Sequence, residues 1–147
     1  MACEFVYNEA QTVALNSPVL FNNSIPCNKG YVIHNNGDGV VILRGITNQC
    51  YATYQVVYNG NIQIPTGGAV APIAVAITVN GEPRATSKAV FTPAAVEEYG
   101  NVTSTAIIKV PRGCCFSIAV ENIPAVADDT TPSIEVANSN LVISRIG

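Results

Sequence analysis

Charge is what this chain has least of. Only 12% of its residues are charged, against about 25% in an ordinary soluble domain, while 48% are hydrophobic. The seven basic residues are scattered from Lys29 to Arg145. They form no stripe able to neutralise phosphates, so neither nucleic acid nor an anionic membrane surface is an expected partner. Tryptophan is absent, which removes the best sugar-stacking side chain, and His34 is the single histidine. The longest apolar stretch, Ala69–Val79, is far short of the roughly 20 residues of a spanning helix. The opening residues lack a basic region followed by an apolar run, so no signal peptide is expected and synthesis is expected in the cytoplasm.

The set of residues needed for catalysis is equally thin. A nucleophile needs a base and an orienting group, and one histidine beside an Asn35-Asn36-Gly37 turn offers little. The adjacent pairs Glu97-Glu98 and Asp128-Asp129 read as solvated turns rather than acid/base couples. There is no phosphate loop, dinucleotide fingerprint or metalloprotease motif. No catalytic residue, metal site or cofactor is therefore expected, and the chain is read as not an enzyme.

What is present is β pattern. In Ile73-Ala-Val-Ala-Ile-Thr-Val79 the large residues Ile73, Val75, Ile77 and Val79 share one face of a strand. The other face reads Ala74, Ala76 and Thr78, which is also apolar or small. Both faces should be covered, the large residues by the core and the small ones by a neighbouring subunit. The roles exchange if the strand lies at an edge. About ten such strands are spaced roughly ten residues apart, with turns at Asn36-Gly37-Asp38-Gly39, Asn59-Gly60, Asn80-Gly81 and Arg112-Gly113. The reading is an all-β, antiparallel sandwich in one domain spanning residues 11–147, preceded by an N-terminal arm of residues 1–10. Only Thr92–Tyr99 could form a turn or two of helix. Tyr54 and Tyr58 share a strand face and are candidate interface aromatics, with core packing as the alternative.

Five cysteines is an odd number, and no Cys-x-x-Cys spacing occurs. They read either as buried thiols or as links between subunits. Cys114 and Cys115, adjacent on an expected strand, should point to opposite faces, and Cys3 on the arm could reach a partner. These three are the candidates for inter-subunit disulfides.

Several segments, taken in order, carry a family resemblance. Gln11-Thr-Val-Ala-Leu15 with Pro18–Asn23 resembles the opening of the C-terminal domain of BclA-type spore-surface glycoproteins. Gly30–His34 with Gly39–Leu43, Tyr54–Tyr58, Ile73–Pro83, Ile107–Asn122 and Asn140–Ile146 are similar to that domain's later strands and turns. Related domains occur as phage and prophage head fibres and decoration proteins. The sequence departs from the pattern in its cysteines and in having no collagen-like Gly-x-y stretch. The resemblance implies a C1q/TNF-like jelly roll that forms a homotrimer, a structural role on the surface of a virion or spore, and attachment of the arm to a capsid or spore-surface protein. A trimeric adhesin or glycan-binding module is the alternative, and a disulfide-reinforced filament subunit a third.

Overall fold

The computed structural model describes residues 2–25, 30–35, 37–124 and 133–146. Twelve strands are found among them: β1 (Ala2–Tyr7), β2 (Gln11–Ala14), β3 (Asn23–Ile25), β4 (Val32–Ile33), β5 (Val41–Arg44), β6 (Tyr51–Gln63), β7 (Ile73–Val79), β8 (Glu82–Pro83), β9 (Ala89–Phe91), β10 (Gly100–Pro111), β11 (Cys115–Ile123) and β12 (Ser133–Arg145). A single 3-10 turn, Ala85–Ser87, interrupts them, and Thr92–Tyr99 forms turns rather than helix. The loop containing Asp128-Asp129 lies outside the described residues.

The strands build two antiparallel sheets. Sheet A runs β10-β6-β12-β1-β3, with β2 also on β12, and sheet B runs β4-β5-β11-β7-β8, with β9 also on β7. From β9 onward the chain changes sheet at every connection, so most pairings join distant parts of the sequence. The all-β sandwich expected from the sequence is the observed architecture.

Period-two alternation explains most of the strands. In β10, Val102, Ser104, Ala106, Ile108 and Val110 are buried, while Asn101, Thr103, Thr105, Ile107 and Lys109 are exposed. The core fills the space between the sheets, with Tyr54, Val56, Tyr58, Ile108, Leu141 and Ile143 from sheet A facing Leu43, Ile73, Val75, Ile77, Ile118 and Val120 from sheet B. The Asn80-Gly81 turn is as expected. Asn80 and Gly81 have φ of 51° and 86°, the double positive φ that a tight hairpin between β7 and β8 demands.

Three expectations change. The residues read as an N-terminal arm are mostly β1, inserted between β12 and β3, with Phe5 opposite Leu141 on one side and Ser24 on the other. Glu4–Val6 are paired on both backbone edges, so this part of the arm belongs to the sandwich. Second, Asn59-Gly60 is no turn, because β6 continues through it to Gln63. Gly60 is needed there because a Cβ would collide with the Tyr58 hydroxyl, which leans over it to reach Ser139. Third, the two closing segments are one strand, β12, with a bulge between Ala137 and Asn140 where Asn138 takes φ 54°.

Candidate assembly surfaces

The outer face of sheet A presents regular rows of side chains. Four rows cross β10, β6 and β12: Asn101–Asn61–Ala137, Thr103–Asn59–Asn140, Thr105–Val57–Val142 and Ile107–Gln55–Ser144. None of these side chains is charged. Lys109 stands at one end, its ammonium 6.0 Å from the Tyr51 ring centre, and Glu135 at the other, accepting a hydrogen bond from Gln63 at 3.0 Å. Asn101 Nδ2 donates to Asn59 Oδ1 at 2.9 Å and to Asn61 Oδ1 at 3.2 Å, and Thr103 Oγ1 donates to Asn59 Oδ1 at 3.2 Å. At the β1 margin, Asn140 Nδ2 donates to Glu4 Oε2 at 2.9 Å, so that carboxylate is held in place. The face is uncharged over its centre, and its amides are partly satisfied by one another. Burying it would desolvate no isolated charge, but its amides and hydroxyls would need hydrogen-bond partners across the contact.

The sequence placed the interface elsewhere, on Ala74, Ala76 and Thr78. These residues are 0%, 0% and 1% exposed within the single chain. The face of β7 that carries them is hemmed in by β11, where Ile123, Glu121 and Ala119 stand opposite Ala74, Ala76 and Thr78. Ala74, Ala76 and Ile123 form a small apolar cluster of their own, and Thr78 Oγ1 donates to the Ala119 carbonyl at 3.3 Å. A side chain with no accessible surface has none to lose on association, so this face does not supply the contact area. The other face of β7 behaves as read: Ile73, Val75 and Ile77 lie in the main core.

Tyr54 and Tyr58 also turn inward, both at 0% exposure. The Tyr54 hydroxyl donates to the Arg44 carbonyl at 2.6 Å and holds sheet A to the end of β5. Burial raises its pKa, opposed by the nearby Arg145 charge. The Tyr58 hydroxyl pairs with Ser139 Oγ at 3.1 Å, and burial pushes its pKa up to about 12, with the Ser139 hydrogen bond acting the other way. They are core residues. The aromatic on the outer face is Tyr51, 49% exposed.

The cysteines separate into two groups. Cys3 is buried and already disulfide-bonded within the chain, which removes it from the candidates for a link to a neighbour. Cys114 and Cys115 are free and exposed, as is Cys50, which sequence reasoning passed over. Cys114 lies in the turn before β11 rather than on the strand, so the expected opposite-face arrangement does not arise. His34 is not near a catalytic arrangement: its Nε2 is 2.8 Å from the Asp38 carbonyl oxygen and its ring packs on Phe5 with centroids 4.8 Å apart. Among the described residues no group of three or more His, Cys, Asp or Glu is placed to hold a metal ion, and no helix is long and apolar enough to cross a membrane.

One recess of about 440 Å³ opens between the loop after β5 and the end of β12, lined by Tyr31, Ile46, Thr47, Asn48, Gln49 and Arg145. The Arg145 guanidinium stacks on the Tyr31 ring at 4.3 Å. The recess thus holds a cation on an aromatic face beside two amides and a hydroxyl.

No family model and no curated protein matches this sequence. Solved structures do. The globular domain of zebrafish complement 1qA protein superposes with a TM-score of 0.64 at 12% identity, covering 99% of this chain and 97% of that one. The Eiger TNF of S. frugiperda gives 0.65 at 11% identity, covering 100% and 92%. Murine APRIL gives 0.61 at 9% identity, covering 99% and 98%. Identities this low speak to the fold alone. Two antiparallel sheets, superposed over nearly the whole chain by all three, give the chain the C1q/TNF-like jelly-roll fold.

Proposed function

We propose that the chain is a non-enzymatic structural subunit that associates with copies of itself, as a homotrimer, through the outer face of sheet A. We further infer that the trimer stands on the surface of a particle, a phage virion or a spore. The observation that carries the assembly reading is the uncharged centre of that face, with Glu4, Lys109 and Glu135 confined to its margins. The twelve β10–β6 pairs run roughly 40 Å at about 3.3 Å per residue, and five strands span roughly 19 Å at about 4.8 Å apart. The whole outer face, charged margins included, is thus at most roughly 800 Å², about what one partner gives to a standard interface, and the uncharged rows form its centre. The particle role rests on the resemblance to spore-surface and phage decoration domains and is supported by the fold.

Light scattering coupled to gel filtration at micromolar concentration tests the assembly. The expected mass is about three times the 15.4 kDa of one chain. Val57→Asp, at the centre of the face, should give monomer, because an unpaired carboxylate buried in each interface costs several kcal/mol. A monomeric wild type would end this reading. Imaging of native particles with an antibody to the chain tests the location.

The recess at Tyr31 and Arg145 favours a second reading, a trimeric module that binds a glycan or receptor. A glycan array probed with the assembled protein would show it. Signal that survives Arg145→Ala would exclude this recess as the binding site.

A further inference from the structure

Cysteine is among the residues most often buried, yet Cys50, Cys114 and Cys115 are all exposed and free. Two loops bring them to one end of the sandwich and pin each other there. Arg112 N–H donates to the Cys50 carbonyl at 2.9 Å, Gly113 N–H to the Gly45 carbonyl at 3.0 Å, and Gly45 N–H to the Cys114 carbonyl at 2.8 Å. The loops nest so closely that a Cβ on Gly45 would overlap the Pro111 carbonyl. Cys115 then opens β11 opposite Arg44. A recess of about 90 Å³ beside Cys114 and Cys115, lined also by Arg44 and Ile46, leaves room for an approaching side chain.

Pairing within the chain does not absorb these thiols. Three is odd, so any internal pair leaves one over. Cys114 and Cys115 have Cα atoms about 3.8 Å apart as consecutive residues, below the roughly 4.4–6.8 Å a disulfide spans, so they do not close on each other without strain. Cys50 directly precedes β6 and Cys114 lies just beyond β10. These are two of the three strands that carry the uncharged rows, so Cys50 and Cys114 stand beyond one end of the candidate contact face, with Cys115 beside them at the start of β11. Copies related by a three-fold axis along that face carry their thiol ends on the same side of the assembly.

We propose that this thiol end is a covalent junction between copies of the chain, a reading that takes its placement from the sheet A assembly. The co-reactant is a low-molecular-weight disulfide such as oxidised glutathione. A cysteine thiolate on one copy attacks it, forming a mixed disulfide and releasing one small thiol. The thiolate of a second copy then displaces the other small thiol. Two protein thiols are oxidised to one disulfide, and one small disulfide is reduced to two thiols, with both protons taken up by the released thiolates.

The experiment treats the purified full chain with oxidised glutathione and follows it by non-reducing electrophoresis, with peptide mass mapping of the links. Bands at multiples of 15.4 kDa are expected, joined through Cys50, Cys114 or Cys115. They should vanish in the triple variant Cys50→Ser, Cys114→Ser, Cys115→Ser. They should vanish equally in wild type blocked with iodoacetamide beforehand, which needs no substitution. A monomer band carrying only glutathione adducts, or an internal Cys50–Cys114 link, overturns the proposal. Light scattering of the fully reduced protein is read separately. A trimer with no cross-links refutes the junction and leaves the assembly standing. A reduced monomer that cross-links on oxidation does the reverse.

Discussion

Tyr58 gives the sandwich an alkaline limit. Its side chain is fully buried, its hydroxyl pairs with the buried Ser139, and its pKa is pushed from 10.0 to about 12. The folded state therefore favours the neutral phenol. A pKa raised on folding means that the stabilisation is complete below the unfolded value and is lost as pH climbs through the folded one, here between about 10 and 12. At about 1.36 kcal/mol per unit, the two units amount to roughly 2.7 kcal/mol. Tyr58→Phe removes the titration but leaves Ser139 buried without its partner, at a cost of about 1–3 kcal/mol. The variant should thus be less stable than wild type at pH 8, and the gap should narrow or close by pH 12 as wild type alone loses this contribution. Urea unfolding of both proteins at matched chain concentration, at pH 8, 10, 11 and 12, measures it, with concentration held fixed because any self-association adds its own term. Tyr54, also raised, is common to both and cancels. A gap that stays constant across that range would refute the assignment of the alkaline loss to Tyr58.

Gly60→Ala should destabilise by about 1–3 kcal/mol through overpacking against the Tyr58 hydroxyl, and by less in a Tyr58→Phe background; urea midpoints of the four proteins decide it. Asn122→Ala should cost about 1–3 kcal/mol, because buried Asn122 Nδ2 donates to the Val13 carbonyl at 3.1 Å and joins β11 to β2; loss of amide protection in both strands is the matching hydrogen-exchange readout. Ile77→Ala should cost about 2–5 kcal/mol in thermal or urea unfolding, whereas Val90→Ala, 53% exposed on the neighbouring strand, should fall within about 0.5 kcal/mol of wild type.

The residues themselves determined the class of fold and most strand positions. Alternation such as Val102 to Val110 in β10 depends only on the two-residue period of extended backbone, and Asn80-Gly81 depends only on local φ. The apolar character of both faces of β7 was legible for the same reason. What covers the second face was not, because Ala74 and Ala76 lie beside Ile123 and Glu121 of β11, distant in the sequence but adjacent in the sheet. The same non-locality hid β1, whose partner β12 lies at the other end of the chain, and made Asn59-Gly60 read as a turn when its glycine exists to admit the Tyr58 side chain. Five cysteines could be counted, but only folding separates the buried, bonded Cys3 from three exposed thiols gathered at one end. The uncharged rows of sheet A, too, arise from register: Asn59, Asn101 and Asn140 are far apart in sequence and become one surface only when β10, β6 and β12 align. Local pattern chose the strands, and long-range pairing decided which of their faces is buried and which is left exposed.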